Sequence, residues 1–217
     1  MLDSLREKGL VLDGVCIRLG GRVLVSLTRA VAPGEVLTVM GPSGAGKSTL
    51  LAYIGGFLDR AFTGEGRVLI DGEDIAGQPA ETRRAGILFQ DPLLFPHMSV
   101  AGNLLFAIPE AVTGRDERRA RAEEALAGVG LAGMGGRDPA TLSGGQRARV
   151  ALARVLLSGP RMLLLDEPFS KLDQELRQQT RELVFAKARE SRLPVLLVTH
   201  DPADAKAAGG DVITIEA

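Results

Sequence analysis

Residues 10–19 set Leu10, Leu12, Val15, Ile17 and Leu19 among polar or small neighbours, and a second alternating run extends from Val23 to Val31. A period near two puts the apolar side chains on one face of a strand. The Gly20-Gly21 pair between the runs predicts an antiparallel hairpin closed by a tight turn. Beyond the Pro33-Gly34 turn the pattern changes. Val36-Leu37-Thr38-Val39-Met40, Met162-Leu163-Leu164-Leu165 and Val195-Leu196-Leu197-Val198 are short, nearly unbroken apolar runs. Such runs predict strands buried on both faces of a parallel sheet. Arg67–Ile70, Gly86–Phe89 and Asp211–Ile215 predict further strands, and residues 46–56 and about 173–190 predict helices. Phe57 to Gly64 reads as a slightly long loop after the first helix. From about residue 98 to 158, Ala, Leu, Glu and Arg at helical spacing replace alternation, which predicts a helical lobe. Strands alternating with helices argue for a parallel α/β core.

Composition adds mainly exclusions. The chain has 217 residues, 45% hydrophobic and 24% charged, which suits one medium domain with an inserted lobe. A net charge of -1 excludes the basic surplus of a general nucleic-acid binder. The basic cluster Arg115 to Arg121 also contains Asp116 and Glu117 and reads as a solvated helix face. A single cysteine, Cys16, rules out an internal disulfide and fits a reducing compartment. Residues 1–8 lack the apolar core of a signal peptide. The longest uncharged stretch, Pro92 to Pro109, contains Pro96, His97 and Asn103 and makes a poor membrane span. A soluble protein that meets any membrane through a partner is expected.

Chemistry enters at Gly41-Pro42-Ser43-Gly44-Ala45-Gly46-Lys47-Ser48-Thr49, which fits G-x-x-x-x-G-K-[ST] between an apolar strand and a helix. Glycines let backbone N–H groups converge on phosphate oxygens, and the helix N-terminus adds its positive dipole end. Lys47 is expected to reach the β- and γ-phosphates and Ser48 to ligate Mg²⁺. Asp166 closes a second apolar strand and is expected to hold the same Mg²⁺ through water. Glu167 follows, in a position to orient or deprotonate an attacking water. His200 comes just after the strand Val195–Thr199, at the carboxyl edge where open α/β sheets bind ligands. His97 reads as an ordinary surface residue.

A second helix start also suits an anion. Ser143 is a natural N-cap before Gly144, Gly145 and Gln146, and two glycines weaken helix initiation by about 1 kcal/mol each, which a plain cap does not require. Two phosphate devices in one chain suggest that a partner copy closes over the nucleotide.

These residues are where the chain resembles the ATP-binding subunits of ABC transporters. The likeness covers nearly the whole chain. It takes in the phosphate loop, Gln90 after an apolar strand, Leu142–Gln146 as the signature, Leu163–Glu167, Ser170-Lys171-Leu172-Asp173 as the D-loop, and His200 as the switch histidine. Phe89 to Met98 looks most like ATPases of bacterial importers. The resemblance implies a P-loop NTPase core with a mainly parallel sheet, an N-terminal antiparallel β subdomain and an inserted α-helical subdomain. On that reading residues 1–89 and 160–217 form the core and about 90–159 the helical subdomain. It also implies a head-to-tail homodimer holding ATP and Mg²⁺ between the phosphate loop of one copy and the signature of the other. Gln90 would contact Mg²⁺ and the attacking water. Transmembrane permease subunits, a substrate-binding protein and a cytoplasmic place on the inner membrane follow. The apolar loop Pro92–Pro96 would adjoin the groove where the permease docks. The rivals are an exporter or lipoprotein-release ATPase and a soluble ABC ATPase; a P-loop kinase gives no reason for the signature.

The sequence departs from the family at Leu19 and Lys171. Leu19 stands where an aromatic residue usually stacks on adenine, and residues 1–40 contain no Phe, Tyr or Trp. Loss of stacking worth about 0.5–1.5 kcal/mol predicts weaker base discrimination. The only tyrosine, Tyr53, is expected in the core. Lys171 takes a D-loop position often held by a small residue. No appended regulatory domain is expected.

Overall fold

A computed structural model describes residues 8–216. The chain packs as two compact units. The first comprises the residues up to 87 with 161–167 and 185 onward; the second comprises 88–160 and 168–184.

The first unit holds two sheets. Strands β1 (Leu10–Leu19) and β2 (Arg22–Val31) form the antiparallel hairpin, with Leu10 opposite Val31 and Leu19 opposite Arg22. On the other side of β1 lies β4 (Phe62–Ile70), with Leu19 opposite Phe62, followed by the two-residue β5 (Glu73–Asp74). β4 begins within the stretch expected to be a loop, so the connection after the first helix is only residues 56–61. Gly64 and Gly66 mask this half of the strand in the sequence. Gly64 is required because a Cβ there would lie 2.4 Å from the Tyr53 ring.

The second sheet runs β6 (Ala85–Leu88), β7 (Met162–Asp166), β8 (Val195–Val198), β3 (Val36–Met40), β9 (Asp211–Thr214). The pairs β7–β8, β8–β3 and β3–β9 are parallel. The apolar runs of β7 and β8 are the most deeply buried: Leu163, Leu164, Leu165 and Val195 to Val198 are wholly inaccessible to solvent, whereas Val212 on the edge strand β9 is exposed. Helix α1 (Lys47–Gly55) follows β3. Its Leu50 and Ile54 join Leu10, Leu12 and Ile17 of β1 and Val39, Leu164 and Leu196 of the parallel strands in one core cluster. Burying side chains of this size stabilises by about 1.5–3 kcal/mol each. Tyr53 belongs to that cluster as expected, with its hydroxyl donating to Gly66 O at 2.8 Å.

The far end of α1 is closed by a side chain remote in sequence. The buried Arg83 guanidinium donates to the Tyr53 and Ile54 carbonyls at 2.8 and 2.9 Å and to Gln78 O and Ala76 O at 2.8 and 2.6 Å. A cation on the last carbonyls also suits the negative end of the helix dipole.

The second unit is helical: α2 (Val100–Ala107), α3 (Arg115–Gly128), α4 (Gly144–Leu157) and the first part of α5 (Gln174–Glu190). The last helix of the chain, α6 (Pro202–Ala208), lies in the first unit. In the basic cluster, Arg121 pairs with Glu117 one turn away at 2.7 Å. Arg118 bonds the carbonyls of Leu105, Ile108, Pro109 and Val112, so it caps α2 from α3.

Candidate functional site

The carboxyl ends of β3, β7 and β8 converge in the first unit. After β3 the chain turns through Gly41–Gly46 into α1. Gly46 is the N-cap with φ 90, and a Cβ there would lie 3.0 Å from Val25 Cγ2, so backbone conformation and packing both require glycine. No side chain caps this helix and no acid sits in its first turn. Its leading N–H groups therefore remain donors for an anion. Lys47 is 6% exposed, and its Nζ donates to the carbonyls of Gly41 and Pro42 at 2.8 Å. The ammonium is thus held against the loop itself. Pro42, Ser43 and Gly44 are exposed, Ala45 is buried and Thr49 half-buried.

Asp166 at the end of β7 accepts from Ser48 Oγ at 3.0 Å. Burial pushes the Asp166 carboxyl above its usual range; the Ser48 hydrogen bond pulls it down, the Glu167 charge pushes it up and the Lys47 ammonium pulls it down. Glu167 leaves the strand in a left-handed conformation, φ 46, with its N–H on Val198 O at 2.9 Å. A charged residue in this region is strained, and such strain gathers where a side chain must be aimed. His200 Nδ1 stands 3.0 Å from Glu167 Oε1. The turn bearing His200 is itself fixed. Thr199 Oγ1 donates to buried Asp204 at 2.8 Å and accepts from Asp201 N at 3.0 Å, while Asp201 caps α6. Thr199 and Asp204 were not among the expected site residues; an Asp four residues past the histidine was the signal available.

Ser48 and Asp166 supply oxygen donors, the hard ligands that Mg²⁺ takes. Among the described residues no cluster of three or more His, Cys, Asp or Glu could hold a metal alone.

Gln90 and the 142–146 stretch lie in the second unit. Gln90 is exposed just after β6. Ser143 caps α4 in a full capping box: its Oγ accepts from Gln146 N at 3.2 Å and its N–H donates to Gln146 Oε1 at 2.9 Å. This uses the third N–H of the helix and leaves Gly144 and Gly145 as the leading donors. The glycines have a packing reason as well. A Cβ on Gly145 would meet Leu176 at 3.2 Å, and one on Gly144 would meet Leu172 at 3.4 Å. Two glycines at this helix start therefore do not by themselves require an anion.

Leu19 is 44% exposed at the end of β1. Its cross-strand partner Phe62 is half-buried, so an aromatic ring stands in the same row of the sheet, contributed by β4. His97 is exposed, with its ring centre 6.0 Å from that of Phe95. Among the described residues no helix is long and apolar enough to cross a membrane.

The ABC transporter family model matches residues 24–170. The chain is 47% identical over 199 residues to the ABC transporter ATP-binding protein YnjD of Escherichia coli, covering 91% of each. It is 47% identical over 195 residues to the thiamine import ATP-binding protein ThiQ of Cereibacter sphaeroides, covering 90% of this chain and 83% of that one. To the Fe(3+) ions import ATP-binding protein FbpC of Streptomyces coelicolor it is 46% identical over 211 residues, 95% of this chain but only 59% of that longer one. With a family match over most of its length and relatives this similar, the chain belongs to the ABC transporter family as an ATP-binding subunit, the part of the transporter that hydrolyses ATP.

Proposed function

We propose that this subunit hydrolyses ATP to drive an importer at the cytoplasmic face of the bacterial inner membrane. The observation that carries the catalytic part is the juxtaposition, on one sheet edge, of the Ser48–Asp166 pair and the Glu167–His200 pair, each 3.0 Å apart. The import part rests on the relatives named for iron and thiamine import. An exporter or lipoprotein-release ATPase would use the same site with a different partner.

In this reading Gly41–Thr49 wraps the triphosphate with backbone N–H groups, and Lys47 exchanges its two carbonyl partners for the β- and γ-phosphates. Ser48 and Asp166, with Gln90, would hold Mg²⁺, which supplies charge neutralisation on the phosphate oxygens. Glu167 orients the attacking water and accepts its proton. His200 holds the Glu167 carboxylate and contacts the γ-phosphate. Ser143, Gly144, Gly145 and Gln146 complete the site of a second copy, so two chains close head to tail on two nucleotides. Permease subunits cover the apolar loop after Gln90, where Leu93 is 58% exposed, together with Phe106, 66% exposed. A substrate-binding protein would feed the assembled importer.

Glu167→Gln keeps the shape and removes the base. It should bind ATP with near-wild-type affinity, lose turnover by about 10²-fold or more, and accumulate an ATP-bound dimer visible by light scattering. Wild-type turnover in this variant would remove Glu167 from the role.

A further inference from the structure

Lys171 is the D-loop residue for which the family pattern offers no reason. Its Nζ lies 2.6 Å from Asp91 Oδ1, and Asp91 is the residue directly after Gln90. Both side chains are more than half exposed, at 52% and 62%. Both ends of this contact are anchored within the second unit. On the Lys171 side, Arg177 from α5 donates to the Ser170 and Leu172 carbonyls at 3.1 Å, and Asp173 Oδ1 accepts from Leu176 N at 3.0 Å. The loop is therefore fastened to the start of α5 on either side of Lys171.

On the Asp91 side the chain is gripped immediately downstream. Arg154 from α4 donates to the Pro92 and Leu93 carbonyls at 3.2 and 2.8 Å, with its guanidinium 5.3 Å from the centre of the Phe95 ring. Buried Asn103 pins the Phe95 N–H and carbonyl at 2.8 and 3.1 Å. Leu93 is held at φ 46, outside the conformations a free loop would favour. Upstream, Leu88 ends β6 and is buried. Residues 89–91 thus form a short bridge between two fixed points, and the Asp91 carboxylate is fastened from the side by Lys171.

We propose that Lys171 and Asp91 form an electrostatic strap that sets the position of Gln90 during turnover, which makes Lys171 a positioning residue. This deepens the reading of Gln90 given above and rests on it. An exposed ion pair stabilises weakly and is screened by salt. The strap is accordingly a bias rather than a lock, and it shifts the Gln90 population by up to about fivefold.

The full-length chain tests this with MgATP. Lys171→Met and Asp91→Asn should each lower kcat about three- to fivefold with KM for ATP within about twofold, whereas the double exchange Lys171→Asp with Asp91→Lys should restore it. Wild-type kcat should fall toward the Lys171→Met value as salt is raised, and the variant should respond less. In the same preparations, amide exchange at residues 90–91 should speed up about three- to fivefold in Lys171→Met while β7 stays unchanged; this readout does not require turnover. Unaltered exchange at 90–91 in that variant, or a charge exchange that fails to restore kcat, overturns the strap. Gln90→Ala separates the two ideas. Wild-type turnover in Gln90→Ala would sink the role of Gln90, while loss there beside a normal Lys171→Met would sink only the strap.

Discussion

At the scale of single residues, strand ends place the candidate side chains of the first unit. An apolar run that stops at an acid, or at a histidine, delivers that side chain to the sheet edge. Asp166, Glu167 and His200 stand where that rule puts them, while Lys47 and Ser48 open the helix that follows β3. The Thr199–Asp204 contact that fixes the His200 turn was not read from the sequence, and neither was Lys171–Asp91 in the second unit, which joins residues 80 apart in the chain. The same applies to Arg161, which reaches back to Glu73 at 2.6 Å and to the Ile70 carbonyl at 2.7 Å. The Arg161 hydrogen bond holds the Glu73 carboxyl below the usual range, helped by Gln78. A depressed carboxyl contributes stability above the ordinary carboxylate pKa of about 4 and loses it as pH falls through the folded value. Arg161→Gln should return Glu73 toward the ordinary range in a carbon-detected titration and flatten the acid limb of the stability profile. An unmoved midpoint would mean Arg161 is not the cause.

At the scale of elements, β3, β7 and β8 were readable because their apolar runs are nearly continuous, and β1 and β2 because alternation survives on either side of the register shift between Leu12 and Val15. β4 was readable only from Arg67 onward, since Gly64 and Gly66 interrupt its first half for reasons of packing and backbone conformation. α6 has seven residues, four of them alanine, too few to show a period; only its Asp201 cap and Pro202 mark it. α1 carries the phosphate loop at one end and depends on Arg83 at the other. Arg83→Met would strand four carbonyls that the guanidinium now serves. It should cost about 3 kcal/mol in denaturant unfolding. A loss under about 1 kcal/mol would show that water replaces the cation.

At the scale of the whole molecule, the candidate residues are divided between the two units. The phosphate loop, Asp166, Glu167 and His200 belong to the first unit; Gln90, the signature helix and Lys171 belong to the second. The signature is the part whose sequence reading changed most. Its serine is engaged in a cap and its glycines pack on Leu172 and Leu176, so its role toward nucleotide rests on the proposed partner copy. Ser143→Arg separates the cases. Nucleotide binding by the monomer should persist within about threefold, while closure of the dimer and hydrolysis should drop by about 10²-fold, as for loss of a transition-state contact. Equal loss of binding and turnover would mean that the motif serves its own chain.

Glu167 sits in a backbone conformation that costs most residues about 1–2 kcal/mol and glycine almost nothing. The fold would be better off without the side chain proposed as its catalytic base. Drift under selection for folding alone would favour glycine at this position and leave a sturdier, silent protein. Glu167→Gly should therefore raise stability by about 1 kcal/mol in denaturant unfolding while abolishing turnover, and a loss of stability would show that the carboxylate supports the fold.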